Sequence, residues 1–158
     1  AGYSVEIDPL GGNEGIITFQ HPRRNEFIRP NVANVDMICY IISARFPEPD
    51  PFLIDKMTVL AKLKGVEIIL ILNKTDLDDD FSAHNTLQLY SSLGYRVLEC
   101  SAINMTIAQQ ILDLTSGKVA VLTGNTGVGK SSILNALELG VNAKVSEKYS
   151  FSKKYHYL

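Results

Sequence analysis

Sulfur and imidazole are scarce in this chain of 158 residues, which has two cysteines, Cys39 and Cys100, and three histidines. They form no C-x-x-C pair and no Cys/His cluster, so the sequence offers no structural zinc site. Each cysteine lies inside an apolar, strand-like run, and buried reduced thiols are expected there, in keeping with a reducing, cytoplasmic setting. Long hydrophobic runs are missing as well. None approaches the ~20 apolar residues of a membrane helix and no signal peptide opens the sequence, so no membrane association is expected. Neither sign of charge dominates: 15 basic and 17 acidic residues leave a net charge of −2. Any nucleic-acid contact must then come from a local patch. Internal repeats and low-complexity tracts are absent. At 46% hydrophobic, the chain has the composition of an ordinary globular protein, with room for one domain and a small appendage.

What the sequence does have is centred on Val119 to Ser132. An apolar strand, Val119-Ala120-Val121-Leu122-Thr123, runs into Gly124-Asn125-Thr126-Gly127-Val128-Gly129-Lys130-Ser131-Ser132, and a helix follows at once. The spacing fits the P-loop pattern G-x-x-x-x-G-K-[ST]. Glycine lets the backbone close on a phosphate with no Cβ in the way, and the N–H groups of the turn and of the new helix point at the anion. Lys130 can reach the β- and γ-phosphates, and the Ser131 hydroxyl can hold Mg²⁺. A glycine turn with a chance lysine would not need to stand between a strand and a helix.

From Val32 onward, strands alternate with helices, which predicts a parallel α/β sheet. Val35 to Ser43 is almost continuously apolar, as a strand covered on both faces should be. Asp50 is an expected N-cap with Pro51 at the first helical position, and the helix should end at Gly65 with Leu53, Met57, Leu60 and Lys64 on one face and Ile54 and Ala61 beside it. Val66 to Leu72 is the next buried strand, ending in Asn73-Lys74-Thr75-Asp76. At the carboxyl end of a parallel strand, an Asp can accept the paired donors of guanine, a pair adenine lacks. Asn73 can meet the base on its other edge, and the Lys74 stem can lie along the ring. Asp78-Asp79-Asp80 is expected to open the following helix as a solvated first turn, not a metal site. His84 on that helix reads as an ordinary surface or packing residue. Arg96 to Cys100 is a third strand, after which backbone N–H groups of Ser101 and Ala102 could bond the base carbonyl. A helix over about Thr106 to Leu114 leads back to the phosphate loop.

Residues 1–31 read differently. Tyr3 to Ile7, Gly15 to Phe19 and Asn25 to Arg29 alternate like strands, with a turn over Asp8 to Asn13, which suggests a small β-domain too short to close as a barrel. His21, Arg23, Arg24 and Arg29 gather around the third strand. Two readings stand open: a solvated edge that blocks strand pairing, or a patch contacting RNA phosphates.

The order of these motifs is informative, because Asn73-Lys74-Thr75-Asp76 and Ser101-Ala102 precede the P-loop rather than follow it. That order resembles the circularly permuted GTPases, and Arg29-Pro30-Asn31-Val32-Ala33-Asn34-Val35-Asp36 together with Gly124 to Asn135 look most like the RsgA/YjeQ family of ribosome small-subunit-dependent GTPases. The resemblance reaches to about Ala143. It implies a partial OB-like RNA-binding β-barrel over 1–31 and a permuted GTPase domain over 32–158. It also implies GTP, GDP and Mg²⁺ as ligands, and a monomer that works on the small ribosomal subunit and its RNA, stimulated by that subunit during late maturation. Asn73, Lys74, Thr75 and Asp76 would read guanine, with Ser101 and Ala102 behind the base. Gly124 through Ser132 would hold the phosphates, with Lys130 and Ser131 closest to the chemistry. The chain departs from the family pattern in three places. No D-x-x-G follows the P-loop, and Asp8-Pro9-Leu10-Gly11 matches those letters only inside the N-terminal β-piece. No threonine-bearing switch is recognisable after Val141. The family's zinc ligands have no counterpart. These residues are therefore expected to bind guanine nucleotides and hydrolyse them weakly. Lys144 to Leu158 reads as a basic-aromatic RNA contact, the remnant of a C-terminal helix, or a segment joined across missing residues. Two alternative functions are an RNA-binding module with nucleotide as a structural ligand and a permuted GTPase of the large subunit.

Overall fold

The computed structural model describes residues 3–101 and 106–144, with side chains of the second stretch described from 107 to 138. Ala102 and the tail from 145 onward, both singled out above, lie outside the described residues.

The chain opens with an antiparallel hairpin of β1 (Val5–Gly11) and β2 (Glu14–Gln20). Val5 stands opposite Gln20 and Gly11 opposite Glu14. The turn is therefore Gly12-Asn13 alone, and the strand continues through Asp8, Pro9 and Leu10, where a longer turn was expected. A proline is tolerated there because, among the described residues, neither strand has a second neighbour that needs its missing N–H. Every residue of both strands is exposed. Two short strands follow, β3 (Glu26–Phe27) and β4 (Val32–Ala33), paired with each other.

The α/β part then runs β5 (Met37–Ser43), α1 (Pro51–Leu63), β6 (Glu67–Asn73), α2 (Ser82–Ser92), β7 (Arg96–Glu99), α3 (Thr106–Thr115), β8 (Ala120–Gly124) and α4 (Lys130–Lys144). The four long strands form one parallel sheet in the order β7-β6-β5-β8. The alternation of side chains sorts its two faces. Ile38, Tyr40, Ile42, Ile68, Leu70 and Leu72 pack with Ile54, Ala61, Leu87 and Tyr90 of α1 and α2. Met37, Cys39, Ile41, Ile69 and Ile71 pack with Ile107, Ile111, Ile133 and Leu137 of α3 and α4. With helices on both faces, no position in β5 can be polar at low cost, which explains the unbroken apolar run.

The local signals for α1 hold. The Asp50 carboxylate accepts from the N–H groups of Phe52 and Leu53. Its buried stripe is Ile54, Thr58 and Ala61, so the core takes the flank of the predicted face on which Ile54 and Ala61 stand. The Asp78–Asp80 segment is not the first turn of α2, which starts at Ser82. It caps that helix from outside: buried Asp78 accepts from Ala83 and His84 N–H, and Asp80 from Ser82 N–H. The carboxylates still meet the positive helix end.

The N-terminal piece is stitched to the sheet by polar bonds. Asn25 exchanges two hydrogen bonds with the backbone of Val35. Arg24 pairs with Asp36 at 2.8 Å, and the other Asp36 oxygen accepts from Val119 N–H just before β8. Burial alone would raise the Asp36 carboxyl, but the Val119 N–H and the Arg24 guanidinium outweigh it and hold it below its usual range. Phe27 and Val35 drop into the core on the α1 face.

Candidate nucleotide site

Parallel strands all end on the same edge, and the two motifs meet there. Asn73 is the last residue of β6 and Gly124 the last of β8, with β5 between them. Ser43 stands beside Asn73, and Ile41 beside Gly124. The two chain exits are thus about two strand spacings apart, roughly 10 Å, a scale suited to a nucleotide lying along the edge. They are also bonded directly. The Asn73 amide nitrogen donates to the Val128 carbonyl at 2.9 Å, in the middle of the phosphate loop. Asn73 is wholly buried, and its Oδ1 lies 3.5 Å from Cys100 Sγ. Its side chain therefore joins the Asn73–Asp76 segment to the glycine-rich loop.

The loop from Gly124 has the backbone the sequence demands. Gly124, Gly127 and Gly129 all have positive φ. A Cβ on Gly124 would run into the Ile41 carbonyl, and one on Gly129 into the Asn73 amide. These glycines are needed for close packing of the loop against β5 and β6 as well as for access to an anion. Val128 is buried and anchors the loop in the core, while Asn125, Thr126, Gly127, Ser131 and Ser132 are exposed. Lys130 Nζ donates to the carbonyls of Gly124 and Asn125, at 2.9 and 2.7 Å. Its ammonium is thus folded over the loop mouth, where phosphate oxygens could replace the two carbonyls.

At the other end Lys74 adopts a left-handed backbone, and Thr75–Leu77 form one 3-10 turn. That turn puts Asp76 on the surface, with no hydrogen bond to its carboxylate among the described residues. Thr75 N–H donates to the Cys100 carbonyl and Cys100 N–H to Leu72, which ties the exit of β6 to that of β7 and to half-buried Ser101. Burial pushes the Cys100 thiol up to about 11 and the Cys39 thiol up to about 12. Both are free cysteines, protonated and unreactive at neutral pH.

The sequence reading missed the segment that covers this end. Lys74 Nζ donates to the carbonyls of Phe46, at 2.6 Å, and Arg45, at 3.4 Å. Pro47, Glu48 and Pro49 lie against Asn125 and Val128 in a narrow cleft. The two prolines beside an aromatic residue were the only local signal, and nothing in them tells which loop they face. His84 has a partner that spacing could not reveal, Glu99 at 2.8 Å. Of the basic residues considered for RNA, Arg23 pairs with Glu26 at 2.6 Å and stacks on Tyr3, and Arg24 pairs with Asp36. Arg29 is exposed and makes no ion pair among the described residues. No group of three or more His, Cys, Asp or Glu among the described residues could hold a metal. No helix among them is long and apolar enough to cross a membrane.

Comparison with known proteins places this geometry. The sequence model of the RsgA GTPase family matches residues 20–154. A small ribosomal subunit biogenesis GTPase RsgA from Moorella thermoacetica is 36% identical over 146 residues, which cover 92% of this chain and 50% of that protein. The protein of the same name from Pseudomonas aeruginosa is 40% identical over 149 residues, covering 86% of this chain and 44% of its own length. Among solved structures, YjeQ from Thermotoga maritima superposes with a TM-score of 0.77 at 33% identity, over 87% of this chain and 50% of that one. YloQ, described as a circularly permuted GTPase, gives 0.73 at 31% identity over the same shares. The chain spans about half the length of the curated relatives it matches.

Proposed function

The chain belongs to the RsgA GTPase family, and on that premise we propose that it binds GTP and GDP and forms the nucleotide-handling part of a GTPase of small-ribosomal-subunit biogenesis. One observation carries the reading: the bond from the Asn73 amide to the Val128 carbonyl, which fastens the guanine-type motif to the phosphate loop. A chance N-K-x-D turn would have no reason to send its first side chain into a buried bond with a P-loop 55 residues away.

Each group has a task in this reading. Asp76, exposed and without an internal partner, accepts the paired donors of guanine. Lys74 lays its stem along the ring. Ser101 closes the far side of the base. The N–H groups from Asn125 to Ser132, at the mouth of α4, surround the phosphates where the helix dipole favours negative charge. Lys130 exchanges its two loop carbonyls for phosphate oxygens. The Ser131 hydroxyl, exposed beside Lys130, is the residue that would hold a Mg²⁺ ion, which when bound neutralises phosphate charge. Phosphoryl transfer depends mostly on such positioning and charge neutralisation, together with a group that orients the attacking water. These 158 residues supply the first two. They carry no D-x-x-G after the phosphate loop, and by themselves they are proposed to bind GTP and turn it over slowly.

The hairpin of β1 and β2, with β3 and β4, is proposed as part of an OB-like RNA-binding domain. Arg29 is its best-placed cation, since Arg23 and Arg24 would first have to leave Glu26 and Asp36. Small-subunit RNA binding measured over a salt series would show a steep slope if such contacts form. A dependence of that binding on GDP against a GTP analogue would separate a switch from a passive RNA module.

Isothermal titration with GDP, GTP and ATP tests the nucleotide reading directly. GDP and GTP should bind and ATP should not; comparable affinity for ATP would overturn the guanine assignment. Asp76→Asn should weaken GDP and favour xanthosine diphosphate, because the donor and acceptor pattern at that edge is inverted. Discrimination against a mismatched hydrogen-bonding edge can reach a factor of about 10⁴–10⁵.

A further inference from the structure

The loop between β5 and α1 does more than connect them. Arg45 sends its guanidinium to two carboxylates, Glu48 at 2.7 Å and Asp80 at 2.8 Å. Its carbonyl accepts from the Ser43 hydroxyl and, with that of Phe46, from Lys74 Nζ. Phe46 has a left-handed backbone, at φ 52°, and its side chain is 80% exposed. A bulky residue adopts that conformation only where its surroundings hold it. The apolar side chain gains little from burial, so the holding falls to the polar anchors on either side. The same loop reaches the phosphate end: a Cβ on Gly127 would stand 3.7 Å from both the Phe46 carbonyl and Pro47 Cδ.

Resting on the guanine-site reading above, we infer that Arg45 is a positioning residue for base recognition. By clamping its loop between Glu48 and Asp80 it holds two carbonyls where they fix the Lys74 ammonium, and so sets the Lys74 stem as a floor for the guanine ring. A lysine stem has four rotatable bonds and on a free surface would sample many rotamers, each ordered only on binding. With the ammonium already seated, that ordering cost is met before the nucleotide arrives. Asp80 lies four residues past Asp76 and belongs to the cap of α2. The Arg45–Asp80 pair therefore anchors the loop that seats Lys74 on the cap of α2, a segment already held by its own bonds to Ser82, Ala83 and His84.

A double-mutant cycle on GDP binding tests this. Titrations would use the wild type, Arg45→Ala, Lys74→Ala and the double variant, with melting temperatures recorded for each nucleotide-free protein. Arg45→Ala should weaken GDP about three- to tenfold, the range that two largely exposed charge pairs can supply. The double variant should bind no more weakly than Lys74→Ala alone, since with Lys74 gone there is nothing left for Arg45 to position. Asp80→Asn, which removes one anchor and leaves residue 45 intact, should give a smaller loss with the same dependence on Lys74. Multiplicative losses in the double variant, or wild-type affinity in Arg45→Ala, would overturn the inference. Failure of the wild type to bind GDP would instead strike the guanine-site reading itself.

Discussion

The β1–β2 hairpin and the β5–β6 pair are written in much the same alphabet, yet they live under opposite conditions. The hairpin carries Val5, Ile7, Leu10, Ile16, Ile17 and Phe19, every one of them exposed. Between them β5 and β6 carry Met37, Ile38, Ile41, Ile69, Leu70 and Ile71, all essentially inaccessible. Both pairs are hydrogen-bonded ladders, β5–β6 in continuous register and the hairpin with shifts between Glu6 and Ile7 and between Pro9 and Gly11. What separates them is cover, since helices pack on both faces of β5 and β6 and, among the described residues, the hairpin's side chains stay exposed, with His21 alongside Phe19 and Glu6. Strand-forming residues thus specify a strand, while burial, which supplies most of the stability, depends on which other elements reach the same place.

Substitutions at matched positions sharpen that contrast. The largest effect is expected for Ile71→Ala, which opens a cavity in the α3–α4 face of the sheet and should cost about 2–5 kcal/mol. Ile17→Ala in the hairpin should stay within about 0.5 kcal/mol. Urea unfolding of the two variants measures both, and similar losses would mean that the hairpin is covered in solution. Next come two glycines with positive φ. Gly12 has open space where a Cβ would go, whereas a Cβ on Gly129 meets the buried Asn73 amide. Gly12→Ala should show only the ~1–2 kcal/mol backbone penalty of the left-handed region. Gly129→Ala should show that penalty, a displaced Asn73 and loss of GDP binding, read by titration. Retained GDP affinity would mean that the contact of loop and β6 is dispensable.

A smaller effect than the Ile71 cavity or the glycine substitutions belongs to the seam between the two regions. The Asp36 carboxyl is held below its unfolded value of 3.8. Its contribution to stability is therefore present in full above that pH and is lost as the pH falls through the lower folded value. Asp36→Asn keeps the shape but gives up the ion pair with Arg24, and should cost about 1 kcal/mol at neutral pH. The variant should also unfold with a flatter acid limb than the wild type. An unchanged acid limb would show that the seam is held by Asn25 and Val35 alone.

Much of the site was legible because its chemistry is local. Gly124 to Ser131 is one contiguous stretch whose glycines are dictated by the turn they make. Asn73 to Asp76 stands where a strand ends, and strand ends are readable from the loss of apolar residues. The sequence could not tell what Asn73 does, since its partner Val128 is 55 residues away. The expected contact with the base and the observed bond to the loop carbonyl call for the same amide. Arg45 was invisible for a similar reason. Its role depends on Asp80 and Lys74, which come from a different strand exit, and no spacing rule joins them. Asp78 was read as part of a helix that in fact it caps from outside, because acids favour both places and only the backbone path distinguishes them.

The sequence alone determined the elements and their chemistry: alternating strands and helices, a phosphate-binding turn, a carboxylate at a strand end, and the reversed order of the two motifs. These follow from short-range sterics, periodicity and capping, which act within a few residues. Only the tertiary structure decided which exits share an edge, that Asn73 bonds the phosphate loop, that Lys74 is seated by the β5–α1 loop, and that Arg23 and Arg24 are engaged by Glu26 and Asp36. Those outcomes rest on contacts between segments tens of residues apart. The order of strands in the sheet, β7-β6-β5-β8, brings those segments together, and no local propensity encodes it.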